Sequence, residues 1–415
     1  MKRAGGYRPL LALVGPGLMA MLADTDAGSV VTAAQSGARF GYRLLLLQFA
    51  LVPFIYMAQE TAARLGVATG KGQAELIREH FGRGWAMLAS GTLWIACLGA
   101  LVTEFAGIAG VGALAGLPRP ISAGSVVLAL TVLVLAGGYR HVERIGIAVG
   151  LLELAFLAAA ALARPDAGAV VDGLVHSAAA APGYLTLLAA NVGSAVIPWM
   201  LFYQQGAVVE KGRRGLMLEE AIASARADTL LGALICQTIT AAIVVAAAAT
   251  VGTAHPGVSL DSVGQIAQAL APFLGPRAAT ILFGVGMAGA SLAAILVVSL
   301  AGAWGLSEAL GWRHSLTDSP RQAAKFYTLL AGANAVAAAA VVLVPNLVDL
   351  TVGLQVMNAC LLPIVLGFQL VLERRALPPR LRSRGPRWAA VLVLNGALIV
   401  FGLATAAGLL GGVPG

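Results

Sequence analysis

Two acidic side chains in the middle of an apolar segment constrain this chain more than any other feature. The stretch Leu22-Ala-Asp-Thr-Asp-Ala-Gly-Ser29 lies inside a run from Pro9 to about Gly37 that is long enough to cross a bilayer. A carboxylate at the bilayer centre costs several kcal/mol unless it faces a cavity, an ion or a partner. Gly28 and Ser29 weaken the helix beside Asp24 and Asp26. Irregular backbone survives at membrane depth only where it is buried in protein or lines a water-filled path. Two acids on a broken transmembrane helix therefore read as a cation site. The competing reading is a surface turn between two short apolar helices. Length weighs against it, because Leu10 to Met21 alone is too short to span.

The rest of the chain is a polytopic membrane protein by composition. It has 415 residues, 59% of them hydrophobic and only 11% charged, with a mean hydropathy of +0.86. Fifty-one glycines suit helices that pack closely or break. Cys97, Cys236 and Cys360 fall inside apolar segments without metal-ligand spacing, so they are expected to pack as small hydrophobes. The start, Met1-Lys-Arg, resembles a signal-peptide n-region, but no sensible cleavage site follows. No soluble domain fits anywhere.

Apolar runs of about 20 residues, punctuated by Pro, Gly and charge, predict eleven spans. They cover 9–37 (broken), 44–66, 85–115, 121–138, 145–163, 183–209 (broken), 227–252, 276–309, 323–344, 347–372 and 388–411. The segment 259–273, with Asp261 and Gln265, reads as an interfacial amphipathic helix rather than a span. With the N-terminus inside, 22 of the 27 Lys and Arg residues fall on the cytoplasmic side, leaving Arg39, Arg43, Arg119, Arg164 and Arg277 outside. That asymmetry explains the basic charge without nucleic acid and predicts a cytoplasmic N-terminus and an external C-terminus in a cell (inner) membrane.

A second break is expected at Asn191-Val-Gly-Ser-Ala-Val-Ile-Pro-Trp199, where Gly193 and Pro198 interrupt the sixth span. Breaks at positions one and six point to two inverted five-helix repeats with the substrate held between them. The repeats would occupy about 9–163 and 183–372, with an additional helix at about 388–411, all in one transporter domain over 1–415. Carbonyls at Ala23, Thr25 and Ser194 then join the carboxylates as ligands. Alone, Pro198 would read as an ordinary kink.

These residues resemble the Nramp family of divalent-metal transporters. The match runs from Gly15-Pro-Gly17 through the first break, Thr32, Gln35, Gly37 and Gly41-Tyr42. It resumes at Arg64-Leu-Gly, Ala68-Thr-Gly-Lys71 and Ala74-Glu-Leu76. It recurs at Glu104-Phe105, Gly193 to Tyr203, Gln355-Val356 and Leu362-Pro363. The resemblance implies an all-α LeuT-type fold with 5+5 inverted repeats, about 11 transmembrane helices and alternating access.

The departures from the family pattern carry as much information. The family's first-helix motif is Asp-Pro-Gly-Asn, whereas this chain has Asp26-Ala27-Gly28-Ser29, with Asp24 as an extra acid. Its sixth-helix motif is Met-Pro-His, whereas this chain has Ile197-Pro198-Trp199. The thioether expected to favour transition metals is therefore absent, and the candidate ligands Asp26, Asp24, Ser29, Ser194 and Gln355 are oxygen donors suited to Mg2+, Mn2+ or Ca2+. Asp24 could be a ligand, a partner for metal-bound water, or a gate acid. The chain looks closest to the Nramp-related magnesium transporters, with Mg2+ favoured and Mn2+ also carried.

The family's third-helix relay run, Thr-Asp-Leu-Ala-Glu-Phe, aligns with Ala100-Leu-Val-Thr-Glu-Phe105, so Leu101 replaces its aspartate and Trp199 replaces the sixth-helix histidine. Weak or absent proton coupling is the expectation. Glu104 remains, either as a functional acid or as a neutral hydrogen-bonded one. With Trp199 and Asp228 it is a candidate for gating or the proton path.

Glu60 and Arg64 are spaced for an intrahelical pair. Glu153 and Asn358 could line the path or satisfy neighbouring helices. No histidine pair has ligand spacing, and no nucleophile–base pair, phosphate loop or nucleotide motif appears. The expected partners are a divalent cation and the lipid bilayer, with no enzyme activity, resident cofactor, nucleotide or nucleic acid. Three rivals remain: a proton-coupled Mn2+ importer of the ordinary Nramp type, an amino-acid transporter on the same fold, and a non-transporting sensor.

Overall fold

In the computed structural model of this chain, Asp26 begins a helix. Its backbone is extended (φ −65°, ψ 172°) and its side chain accepts a hydrogen bond from Ser29 N, so it acts as the N-cap of the helix Ala27–Phe40. The preceding half-helix, Pro16–Leu22, opens on a proline at its first position and ends at Ala23. The break thus spans Ala23–Asp26, slightly earlier than the glycine-based expectation. Gly28 and Ser29 sit within the first turn of the second half. The structure describes residues 15–410 apart from 177–180, 214, 253–259, 261–262 and 344–347. The expected membrane entry at Pro9, the Met1-Lys-Arg start, Arg8, Arg214, His255 and Asp261 lie outside the described residues.

The sixth span divides in the same way. Tyr184–Ala195 and Pro198–Lys211 are separated by extended Val196 and Ile197, and Pro198 occupies the first position of the second half. Proline has no N–H to lose there, so it starts the helix instead of kinking it. Gly193 lies inside the first half and does not form the break.

The remaining spans follow the predicted order. The second is Leu45–Thr69, the third Arg83–Leu114 and the fourth Arg119–Ala136. The fifth runs from Tyr139 to Leu162 with a 3-10 turn at Leu151–Leu154. The seventh is Leu218–Ala247, extended by a π turn at Ala248–Gly252. The eighth to eleventh are Pro276–Leu310, Ala324–Leu343, Val348–Arg375 and Gly385–Leu410.

Among the described residues, ten helical stretches are long and apolar enough to cross a membrane. One of them, Ala27–Thr69, holds the second half of the first span and the whole second span, divided at Gly41, where φ is +59°. The predicted helix near 259–273 is the 12-residue Val263–Leu274, too short to span. Two further short helices, Gln73–Phe81 and Ala167–Val175, join spans.

The two broken spans lie at the centre of the bundle. Every residue from Gly15 to Ala38 is buried. The seventh span packs along the second and against both halves of the first, the eighth lies along the third, and the first half of the sixth lies along the tenth. At Gly37 an added Cβ would clash with Val244 O, a backbone approach that only glycine permits. The fourth and eleventh spans are peripheral and turn Leu128, Val132, Val393 and Val400 outward, as a lipid-facing surface requires.

Candidate metal site at the helix breaks

The site is built from helix ends. Asp26 Oδ1 accepts from Ser29 N at 2.6 Å, and Glu104 Oε2 in the third span accepts from Ala27 N at 3.0 Å. Two carboxylates therefore cap the N-terminus of one half-helix, where free N–H groups and the helix dipole favour negative charge. Gln355 of the tenth span reaches the same carboxylate, with Nε2 3.3 Å from Asp26 Oδ1. Asn358 fixes that amide by donating to Gln355 Oε1 at 2.9 Å. The Ser29 hydroxyl donates to Asp24 O at 2.7 Å and lies 3.4 Å from Ser194 O of the sixth span.

Asp26, Ser29, Gln355 and the Ser194 carbonyl thus meet where both breaks face each other. The Ser194 hydroxyl itself turns back to Asn191 O at 3.0 Å, so the carbonyl is the group this residue presents. Two glycines make the approach possible. A Cβ on Gly28 would overlap Gln355 Nε2, and one on Gly193 would overlap Gln355 O. Both positions are closed to any larger residue while Gln355 stays in place.

Asp24 faces a different set of groups. Its Oδ2 accepts from the Cys236 thiol of the seventh span at 3.3 Å, and the Thr25 hydroxyl donates to the same sulfur at 3.4 Å. Asp24 Oδ1 has no hydrogen-bond partner. This corrects the expectation that all three cysteines pack as small hydrophobes and that every donor near the break is oxygen. Glu153 also points into this region, aimed by the 3-10 turn of the fifth span. It is fully buried beside Thr25 and lies close to Asp24, Asp26 and Glu104.

Two other predicted residues lie apart from the cluster or take no polar part in it. Trp199 is fully buried and its indole N–H has no partner. Asp228 sits at the far end of the first half-helix, where its carboxylate accepts from Gly17 N at 2.7 Å and Leu18 N at 2.9 Å. It is an interface residue that caps the half-helix from the seventh span.

The donors named at the break are backbone N–H groups, amides, hydroxyls and a thiol, so the carboxyl groups collect there without a basic partner. An uncompensated cluster of that kind favours a bound cation. Asp24, Asp26, Ser29 and Gln355 are each at most 3% exposed and Ser194 is 5%, so the site is closed to bulk water on both sides. Among the described residues no group of three His, Cys, Asp or Glu is already arranged around a metal. Carbonyls, amides and water must supply part of any coordination shell.

The natural resistance-associated macrophage protein-like (Nramp) family model matches residues 17–409 of this chain. The chain belongs to the Nramp family. Among its relatives, the divalent metal cation transporter MntH of Deinococcus radiodurans is 31% identical over 318 residues, covering 72% of this chain and 69% of that protein. The MntH protein of Mesorhizobium japonicum is 29% identical over 315 residues, covering 71% and 67%. The chain spans about two-thirds of the length of the curated relatives it matches.

Solved structures share the fold of this chain. The Eremococcus coleocola manganese transporter, in complex with an aromatic bis-isothiourea compound, superimposes with a TM-score of 0.82 at 19% identity, covering 100% of this chain and 91% of that one. Mhp1, a nucleobase-cation-symport-1 family transporter, follows at 0.57 and 14%, covering 95% and 91%. The chain therefore has the LeuT-type architecture that the family resemblance implied.

Proposed function

We propose that this Nramp chain carries divalent metal cations across the membrane by alternating access, with Mn2+ and Mg2+ as cargo. The observation that carries the proposal is the convergence of Asp26, Ser29, the Ser194 carbonyl and Gln355, from three spans, at two facing helix breaks. Asp24, two residues back on the same break, is the second carboxylate within reach of the ion. The names of the MntH relatives and of the manganese transporter agree with a divalent cargo.

Asp26, Ser29 and the Ser194 carbonyl present hard oxygens, and Ile197 occupies the position where the family resemblance implies a thioether. Mg2+ keeps several of its waters and is held by one or two carboxylates, which suits a site of this composition. Leu101 and Trp199 cannot pass a proton, so coupling through the family's relay positions is weak or absent here. The distribution of Lys and Arg supports a cytoplasmic N-terminus, which puts Asp228 and the first half-helix at the inner gate.

An amino-acid cargo is disfavoured by the same geometry. The N–H groups that would bind a substrate carboxylate are already taken by Asp26 and Glu104. Mn2+ uptake into proteoliposomes, competed with Mg2+ while internal pH is followed, tests the proposal. Competition by millimolar Mg2+ without matching acidification is expected. Uptake indifferent to Mg2+ and accompanied by protons would establish a proton-coupled Mn2+ importer of the ordinary Nramp type instead.

A further inference from the structure

The break has two sides, and the second one contains sulfur. On the Asp26 side stand a carboxylate, a hydroxyl, a main-chain carbonyl and the Gln355 amide, with no sulfur among them. On the Asp24 side the seventh span brings Cys236, 212 positions away in sequence, to within 3.3 Å of the carboxylate. The thiol is 1% exposed. Cys97, in contrast, packs against Gly302 as a small apolar side chain.

Two independent features indicate that the Asp24 side is a place for a ligand. Asp24 Oδ1 is buried and unpartnered, although the other oxygen of the same carboxyl faces the thiol. The Glu153 carboxyl, also fully buried, lies beside Thr25 and close to Asp24 and Cys236, so acids gather on this side as well. A buried carboxyl oxygen without a donor is costly, as are acids gathered without a basic partner, and both call for a cation.

We propose that Cys236 is a metal-contacting residue that, with Asp24, forms a thiol–carboxylate subsite for soft divalent cations such as Cd2+. The subsite adjoins the oxygen donors around Asp26 and rests on the reading of the break as the cargo site. Sulfur prefers soft and borderline ions over Mg2+, so the seventh span supplies a donor type that Ile197 withholds from the sixth. On binding, in a state where alternating access has opened the site to one side, a metal–sulfur bond replaces the S–H bond and the proton leaves to the water of the open path. Because no three-residue cage stands ready among the described residues, water and main-chain carbonyls complete the shell.

The test uses the full chain and CdCl2. Titrating purified wild-type protein with Cd2+ should raise the ultraviolet Cd–sulfur charge-transfer band. A Cys97→Ser/Cys360→Ser double variant, with Cys236 as its only cysteine, should keep that band. Cys236→Ser and Cys236→Ala should lose it. In proteoliposomes the ratio of Cd2+ to Mn2+ affinity should fall about ten- to a hundredfold in Cys236→Ser, the size usual for disturbing a metal ligand or its support. Cys97→Ser should leave the ratio unchanged.

A missing band in the double variant, or a Cys236→Ser protein that binds Cd2+ as tightly as wild type, overturns the proposal. A Cys236-dependent band in a protein that moves no Mn2+ would uphold the subsite and refute the transport reading, so the two failures are distinguishable.

Discussion

Gly28 shows how closely single residues determine the site. Alanine is a better helix former than glycine by roughly 0.5–1 kcal/mol, so Gly28→Ala should not weaken the half-helix in whose first turn it lies. The new Cβ would nevertheless occupy the position of Gln355 Nε2. We expect Gly28→Ala to leave thermal unfolding unchanged or slightly raised while sharply raising the KM for Mn2+. Adding Gln355→Ala should remove the clash without restoring the lost ligand. A Gly28→Ala protein with wild-type KM would show that Gln355 is not held where the cargo binds.

At this scale the sequence was informative only for residues adjoining the breaks. Asp26, Ser29 and Gln355 were marked by an acid in an apolar run and by family motifs. Cys236 carried no such mark, since it lies in an apolar segment and gains its role from a contact 212 positions away. The nearest signal was its polar company, Gln237 and Thr240, on a span otherwise rich in alanine. Glu153 was noticed, but its inward aim depends on a 3-10 turn that periodicity does not reveal.

At the scale of elements, the half-helix Pro16–Leu22 is the part best placed to move. Seven residues are too few to form a stable helix alone, so its neighbours hold it. Asp228 caps its N-terminus with two hydrogen bonds. Gly232 of the seventh span makes room for Met21, and Gly146 and Gly150 of the fifth make room for Met19 and Leu22. The Tyr203 hydroxyl contacts Met19 Sδ at 3.0 Å.

Asp228→Asn keeps the size of the side chain but removes its charge and one of its two acceptor oxygens. Hydrogen bonds to charged groups contribute about 1.5–3 kcal/mol. Amide exchange over residues 17–22 should therefore speed up by roughly tenfold or more, with other spans unaffected. Unchanged exchange there would mean that the glycine contacts alone hold the half-helix. The sequence indicated Asp228 as a gate or interface residue, and the two breaks were legible from Pro198 and the acids. It misplaced the first break, because Gly28 is required by space rather than by backbone conformation.

Across the whole molecule, one ionic network ties the bundle together at a single end. Glu60 Oε1 lies 3.2 Å from Arg64 Nε and 2.9 Å from Arg226 Nε, and it also meets Arg387 at 2.6 Å. Arg64 continues to Glu373 at 3.0 Å, Ser383 at 3.1 Å and Leu381 O at 2.6 Å. The second, seventh, tenth and eleventh spans are joined through these side chains.

The sequence foresaw only the Glu60–Arg64 pair, because helical spacing reports neighbours within one span and nothing across spans. It did assign Arg64, Arg226 and Arg387 to the same side of the membrane, and all three meet at one carboxylate. Glu60→Gln would leave a nearly fully buried guanidinium without one of its counter-charges. Removing one partner of a buried pair costs about 3–5 kcal/mol, so the variant should unfold at a clearly lower temperature in detergent. Unfolding at the wild-type temperature would show that Glu373 alone suffices for Arg64.

The most direct test of the account is Mn2+ uptake into proteoliposomes by wild-type protein and by Asp26→Asn, matched for amount and thermal unfolding. This substitution keeps the size of the side chain and removes the charge at the meeting point of the two breaks. Saturable uptake by the wild type and its near-complete loss in Asp26→Asn is the predicted result. Uptake by Asp26→Asn at the wild-type rate and KM would contradict the account, because the cargo would then cross without the carboxylate around which the site is built.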